Sequence, residues 1–179
     1  MSEERNVKNI VIIGANLPFV KEVSKTLADQ LEMYYLDVHG LFEFDISPDT
    51  FADVLKRGGV KYFRNQQRGS VKYASSFENT VIAVELGVAE SLDNIKILDK
   101  RGLLILLDSG FKATKSELKK LSFNSKKERK LFVVSRREFS RRVKNVKSQV
   151  DICIATDKFD VQTTIDEIKN KILEYYLQG

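Results

Sequence analysis

Gly14, Lys21, Asp37 and His39 are the residues of this chain whose types and spacing invite a chemical reading. Gly14 closes the apolar run NIVII, and the residues after it, ANLPFVK, occupy the place of a phosphate-cradling loop. Such a loop reads G-x-x-x-x-G-K-[ST]. Its glycines let backbone N–H groups converge on phosphate, its lysine neutralises charge and its hydroxyl holds magnesium. Only Gly14 survives of that pattern. Leu17 and Phe19 carry side chains where the loop should be bare, and Pro18 has no N–H. Val20 and Lys21 stand where the lysine and hydroxyl belong, so Lys21 arrives one residue late, about 100° around a helix. The expectation is a strand-to-helix turn closed by its own side chains, with Leu17 and Phe19 in the space phosphates would fill. Asp37 and His39 follow the run MYYLDV, and polar groups at the carboxyl end of a strand are where ligands collect in open α/β sheets.

These residues need a sheet and helices to position them. Asn9 to Ile13 suits a strand covered on both faces. Asn16 can cap the next helix, Pro18 is tolerated in its first turn, and Val20, Val23, Leu27 and Leu31 recur at spacings of three and four. A second strand spans Met33 to Val38. Leu41 to Phe44 and Ser47 to Arg57 read as helical, with Pro48 just inside the second start and Gly58-Gly59 stopping it. Val60 to Phe77 is a polar helical stretch in which Arg64 and Arg68 share a face. Further strands fall at Asn79 to Glu85, Leu103 to Asp108 and Val150 to Ala155. Lys112 to Lys147 is helical with a break at Ser122 to Ser125, and Val161, Ile165, Ile168, Ile172 and Tyr175 mark a closing amphipathic helix. Alternating strands and helices predict a three-layer α/β/α domain with a five-stranded parallel sheet.

Length and composition bound the rest. A chain of 179 residues supports one domain, and apolar and charged fractions of 42% and 31% are those of a globular protein. No apolar run approaches the ~20 residues of a membrane span, and the polar start MSEERNVKN is not a signal peptide, so a cytoplasmic protein is expected. Cys153 and His39 stand alone, far apart, which gives no support to a zinc site or a Cys-His pair; Cys153 reads as a buried, inert thiol. The net charge of +5 is uneven. Lys112 to Lys147 holds fourteen Lys or Arg against three Glu, leaving the remainder net acidic. With Phe123, Phe132 and Phe139 as its only aromatics, this segment reads as a solvated helical face before it reads as a nucleic-acid surface.

The strings NIVIIG with KTLA, YLDVHG, GGVKYFR, NTVIAVELG, RGLLILLD and SRREFSRRV, in that order and spacing, resemble shikimate kinase, a small P-loop kinase of the nucleoside-monophosphate-kinase fold. The resemblance implies the sheet order 2-3-1-4-5 and a basic, lid-like region over residues 112–147 of a single domain, 1–179. It also implies site residues. Gly14 and Lys21 are what remains of the nucleotide loop, with the Walker lysine and serine falling on Val20 and Lys21. Asp37 matches an aspartate associated with magnesium, and His39 replaces a second aspartate that meets substrate hydroxyls and can act as base. Arg64 and Arg136 match two arginines that hold the shikimate carboxylate, Gly87 is the last of a G-G-G turn otherwise replaced by Glu85 and Leu86, and Gln67 stands for an acidic residue of the same pocket. The lid arginine has no clear match among Lys126, Lys127, Arg129 and Lys130.

Phosphoryl transfer rests on positioning and charge neutralisation, and the missing parts are those that supply both. The leading expectation is therefore a protein that has lost ATP binding and catalysis and is retained as a small-acid-binding, regulatory or interaction protein. No catalytic residue is then expected beyond the candidates Asp37 and His39, and no cofactor. ATP and magnesium, with Asp37 as metal ligand, belong to a second reading, a divergent active shikimate kinase. A polyanion- or nucleic-acid-binding domain using the basic region is a third. A small shikimate-like carboxylate or a protein is the expected partner, with no membrane and no nucleic acid. His39 reads as a neutral hydrogen-bonding group, a cation beside an acidic ligand, or a loop histidine in water, and Glu85 as an ion-pair partner for Lys21 or Lys25.

Overall fold

Alternate residues of each central strand enter different cores, which is what sustained apolar runs without polar alternation require. Val11 and Ile13 pack with Ile82, Val84, Leu104 and Leu106 on one face of the sheet, whereas Ile12 packs with Val81, Ala83, Leu103 and Ile105 on the other. The computed structural model describes residues 6–158 and 160–178. Part of the polar N-terminal stretch, residues 1–5, lies outside them. The five strands, β1 (Asn9–Gly14), β2 (Tyr34–Asp37), β3 (Thr80–Glu85), β4 (Gly102–Asp108) and β5 (Ile152–Ala155), form one parallel sheet in the order β2-β3-β1-β4-β5, as the resemblance implies. No helix among the described residues is long and apolar enough to cross a membrane.

Helices α1 (Leu17–Leu31) and α9 (Val161–Gln178) cover one face through Val23, Leu27, Ile165 and Ile168. The other face is covered by the second half of α3 (Phe51–Ser75), by α5 (Leu92–Asp99) and by α8 (Arg136–Lys147), through Val71, Ile95, Leu98 and Val146. A third, smaller core joins α2 (Val38–Ile46) and the start of α3 to α6 (Phe111–Lys119) and α7 (Lys126–Phe132), around Phe42, Phe51, Phe63, Leu118, Leu131 and Phe132. This core lies off the sheet and sets the walls of a cleft. Short α4 (Leu86–Ala89) follows β3 directly.

Two helix starts differ from the sequence expectation. The helix at 38 begins as soon as β2 ends, because the Asp37 side chain accepts the N–H of His39 and caps it. Pro48 is not inside a helix start. It lies in the linker after a cis Ser47–Pro48 bond, and the helix begins at Phe51 behind Thr50, which forms a capping box with Asp53. Gly59, at φ 69°, breaks α3 where the glycine pair was expected to stop it, and a second helix turn resumes at once. The break at Ser122 to Ser125 is present, with another between α7 and α8. Cys153 is half-buried, its thiol pKa raised by burial.

Candidate functional site

The strand ends set the site. Gly14 lies beside Glu85 in the β1–β3 register, and Asp37 ends β2 next to Ala83, so the turn, the acid of β3 and the acid of β2 share the carboxyl edge of the sheet. At the turn, Pro18 lies in the first helical positions as expected, but Asn16 makes no side-chain cap. Its buried Oδ1 has no partner. The Val20 side chain, 1% exposed, closes on Gly14: a methyl placed there would stand 2.7 Å from Val20 Cγ2 and 3.1 Å from the Leu107 carbonyl. The closure is therefore made by Val20. Leu17 is buried at the cleft wall, while Phe19 turns away and packs against the core beneath α1 and α9, correcting its expected place in the phosphate space. Phe19 precedes Val23 by one helical turn, so both belong to the sheet-facing stripe.

Lys21, the only cation of the turn, is committed. Its Nζ lies 2.6 Å from Asp37 Oδ2, while Asp37 Oδ1 caps α2, so both Asp37 oxygens are engaged. Lys25 is exposed. Among the described residues no three His, Cys, Asp or Glu side chains gather as a metal-ligand set.

Glu85 pairs with neither Lys21 nor Lys25. Its Oε2 accepts from Arg64 at 2.8 Å and its Oε1 accepts the Gly87 N–H at 2.7 Å. Arg64 also donates to Gln67 Oε1 at 2.8 Å, and Gln67 is buried, with its Nε2 unpartnered. A Cβ at Gly87 would meet Arg64 Nη2 at 2.2 Å, so the absence of a side chain there is what admits the guanidinium. Arg64 thus already holds a carboxylate, supplied by the chain itself.

Arg136 is not brought to this cluster. It is exposed in the first turn of α8 and lines a separate groove with Phe111, Phe139, Lys144 and Lys147. Below it, Arg141 and Arg142 tie α8 to Glu90 and pair with Glu138 within the helix. These two arginines lower the Glu138 pKa to about 2, chiefly through the Arg141 hydrogen bond.

His39 is not a water-exposed loop residue. It sits in the first turn of α2, its ring edge-on to Phe51 at 4.8 Å and to Phe132 at 5.6 Å, with Nδ1 buried and unpartnered. Burial first, and then Lys21, lower its pKa against the opposing pull of Asp37, Glu85 and Glu43, which makes it a neutral imidazole.

Above these residues is a cleft of about 420 Å³, bounded by the start of α1, by α2, by the start of α3 and by the α6–α7 connection. Sequence reasoning missed most of its wall: Glu43, Asp49, Phe51, Phe123, Glu128 and Phe132. Phe123 was legible only as part of a helix break. Lys126, Lys127, Arg129 and Lys130 all point to solvent, and the α7 residue that faces the cleft between the helix ends is the buried acid Glu128.

The family model described as shikimate kinase matches residues 21–174. A shikimate kinase of Caldanaerobacter subterraneus is 27% identical over 175 residues, covering 96% of this chain and 98% of that protein. An Arabidopsis thaliana protein named "Probable inactive shikimate kinase like 1, chloroplastic" is 24% identical over 90% of this chain and 56% of its own length. Among solved structures, shikimate kinase from Acinetobacter baumannii in complex with shikimate superposes with a TM-score of 0.79 at 17% identity, covering 95% of each chain, a likeness of fold.

Proposed function

Because the chain belongs to the shikimate kinase family, we propose that it is a member without phosphoryl transfer, retained for binding: a small-acid-binding, regulatory or interaction protein. The observation that carries this reading is the turn Gly14 to Lys21, where Val20 fills the space over Gly14 and Lys21 is held by Asp37.

ATP and magnesium do not fit these residues. A triphosphate needs convergent N–H donors and a free cation, and here Pro18 supplies no N–H and Val20 no charge. The Asp37 carboxylate that would meet magnesium is already bonded through both oxygens. Losing one charge-assisted contact costs about 1.5–3 kcal/mol, and several are missing together, so ATP affinity falls by orders of magnitude. The Arabidopsis relative whose name calls it inactive supports the same reading. Arg64 and Gly87 keep the donors of a carboxylate site, and Glu85 occupies both, so an external acid binds there only by displacing it.

Calorimetry with ATP and magnesium, alongside a coupled assay with shikimate, tests the proposal. No saturable heat and no turnover are expected. A low-micromolar dissociation constant that is abolished by changes between Gly14 and Lys21, or measurable turnover, returns the chain to the divergent kinases.

A further inference from the structure

The cleft over His39 has the opposite charge from a phosphate or carboxylate site. The ionisable groups on its wall are Lys21, Glu43, Asp49, Glu128 and the neutral His39. Lys21 is paired with Asp37, and Asp49 with Arg57. Glu128 is buried and accepts the Asn124 N–H at 2.8 Å, a neutral donor that leaves its charge uncompensated. Glu43 is exposed at the rim and has no ion-pair partner among the described residues. The wall therefore holds one paired cation, one paired anion and two uncompensated anions. An anionic ligand entering here gains no free cation and is repelled by both.

The rest of the wall includes three phenylalanines beside aliphatic and neutral polar residues. Phe51 and Phe132 flank His39, and Phe123 stacks on Phe132 with ring centroids 5.7 Å apart and planes 19° from parallel. Leu17 and Pro18 close the side nearest the turn. Aromatic faces carry negative quadrupole charge and attract cations, most strongly where water is excluded. A volume of about 420 Å³ is that of a small-molecule site.

From this arrangement we infer that the cleft binds an organic cation, an ammonium group carried on a compact apolar or aromatic body. Glu43 meets the ammonium at the mouth, and the body lies against Phe51, Phe123 and Phe132. Lys21 keeps its bond to Asp37 throughout, so no group of the turn has to be freed. The inference rests on the proposal that this site binds without transferring phosphate, and it names the ligand class for the cleft. The Arg64–Glu85 cluster is a different place on the same sheet edge.

The test uses the full chain, ¹⁵N-labelled, titrated with three probes of one shape: 2-phenylethylamine hydrochloride, 2-phenylethanol and 3-phenylpropionate. Saturable amide shifts at Glu43, Phe51, Phe123 and Phe132 are expected with the amine, at roughly tenfold or greater advantage over the carboxylate. Glu43→Gln, a change at an exposed position, is expected to weaken the amine about tenfold while leaving the alcohol unchanged. Equal or tighter binding of the carboxylate overturns the inference. So does the absence of shifts with all three probes, or amine affinity unaltered in both Glu43→Gln and Glu128→Gln. ATP and magnesium are titrated into the same samples: shifts at Gly14 to Lys21 sink the reading of lost nucleotide binding, whatever the amine does.

Discussion

The Arg64 guanidinium and the Glu85 carboxylate meet at 2.8 Å at the carboxyl edge of the sheet, with the Glu85 side chain 4% exposed and that of Arg64 20%. Removing one member of such a pair strands the other in a low-dielectric place. Arg64→Ala leaves Glu85 with the Gly87 N–H alone and is expected to cost about 3 kcal/mol. Glu85→Gln keeps an acceptor oxygen for one of the two donors and turns its NH2 toward the other, and is expected to cost less, about 2 kcal/mol. Urea unfolding of both variants checks the order; equal small losses would show that the pair contributes little.

Glu85→Ala exposes a vacated arginine. Added acetate or formate is then expected to raise the unfolding temperature of the variant well beyond any effect on the unmodified chain, by ordinary ligand linkage. An identical response in both would place the binding elsewhere.

Gly87→Ala puts a methyl 2.2 Å from Arg64 Nη2 and 2.8 Å from Glu85 Oε1, so the guanidinium must shift. A loss of about 1–3 kcal/mol is expected from the weakened pair. In combination with Arg64→Ala the penalty should shrink, and a double-mutant cycle that adds without coupling contradicts the account.

On the proposed reading, a lysine placed at Val20 is not expected to confer nucleotide binding. Val20 is 1% exposed in the core beneath α1, so Val20→Lys buries an amine there and is expected to lose about 3 kcal/mol or more. Calorimetry with ATP should remain flat. Heat that saturates in the variant would mean the turn reopens readily around the new side chain.

His39 gives the stability of the chain a pH dependence of known sign. Its folded pKa is depressed below 6.5, chiefly by burial, so on the acid side of that value the unfolded chain takes up a proton the folded chain resists. The contribution is fully present above pH 6.5 and is lost as pH falls toward the folded value. As the only histidine, it can be isolated: His39→Phe should flatten unfolding free energy between about pH 7 and 5.5, above the main carboxylate range. An unchanged slope in the variant would mean the ring does not titrate as argued.

Apolar runs ending in Gly14, Asp37, Glu85 and Asp108 made the strands legible, and the family resemblance supplied their order. What remained hidden was pairing across the sheet edge. By sequence Glu85 reads as a partner for Lys21 or Lys25, and it is the register of β1 with β3 and the second half of α3 that bring Arg64 to it instead. Other signals were present but outweighed. Thr50-x-x-Asp53 marks the true start of α3, two residues beyond Pro48, which resembles a first-turn proline. The one-turn spacing of Phe19 and Val23 already pointed Phe19 at the sheet. The acid character of the cleft was not legible, because Glu43, Asp49 and Glu128 converge from three separate segments.

Gly14 and Glu85 are neighbours in the β1–β3 register, so the closed turn and the self-occupied arginine form one row at the sheet edge. Moving from this row to one that cradles phosphate requires a charge where Val20 is buried, an empty place where Glu85 pairs, and release of Lys21 from Asp37. Each step taken alone is destabilising, and a domain has only about 5–15 kcal/mol to lose. The two arrangements are therefore separated by a valley in sequence space, which no single substitution crosses. On the proposed reading, building such a cradle by stepwise selection on this chain would need stabilising changes elsewhere first.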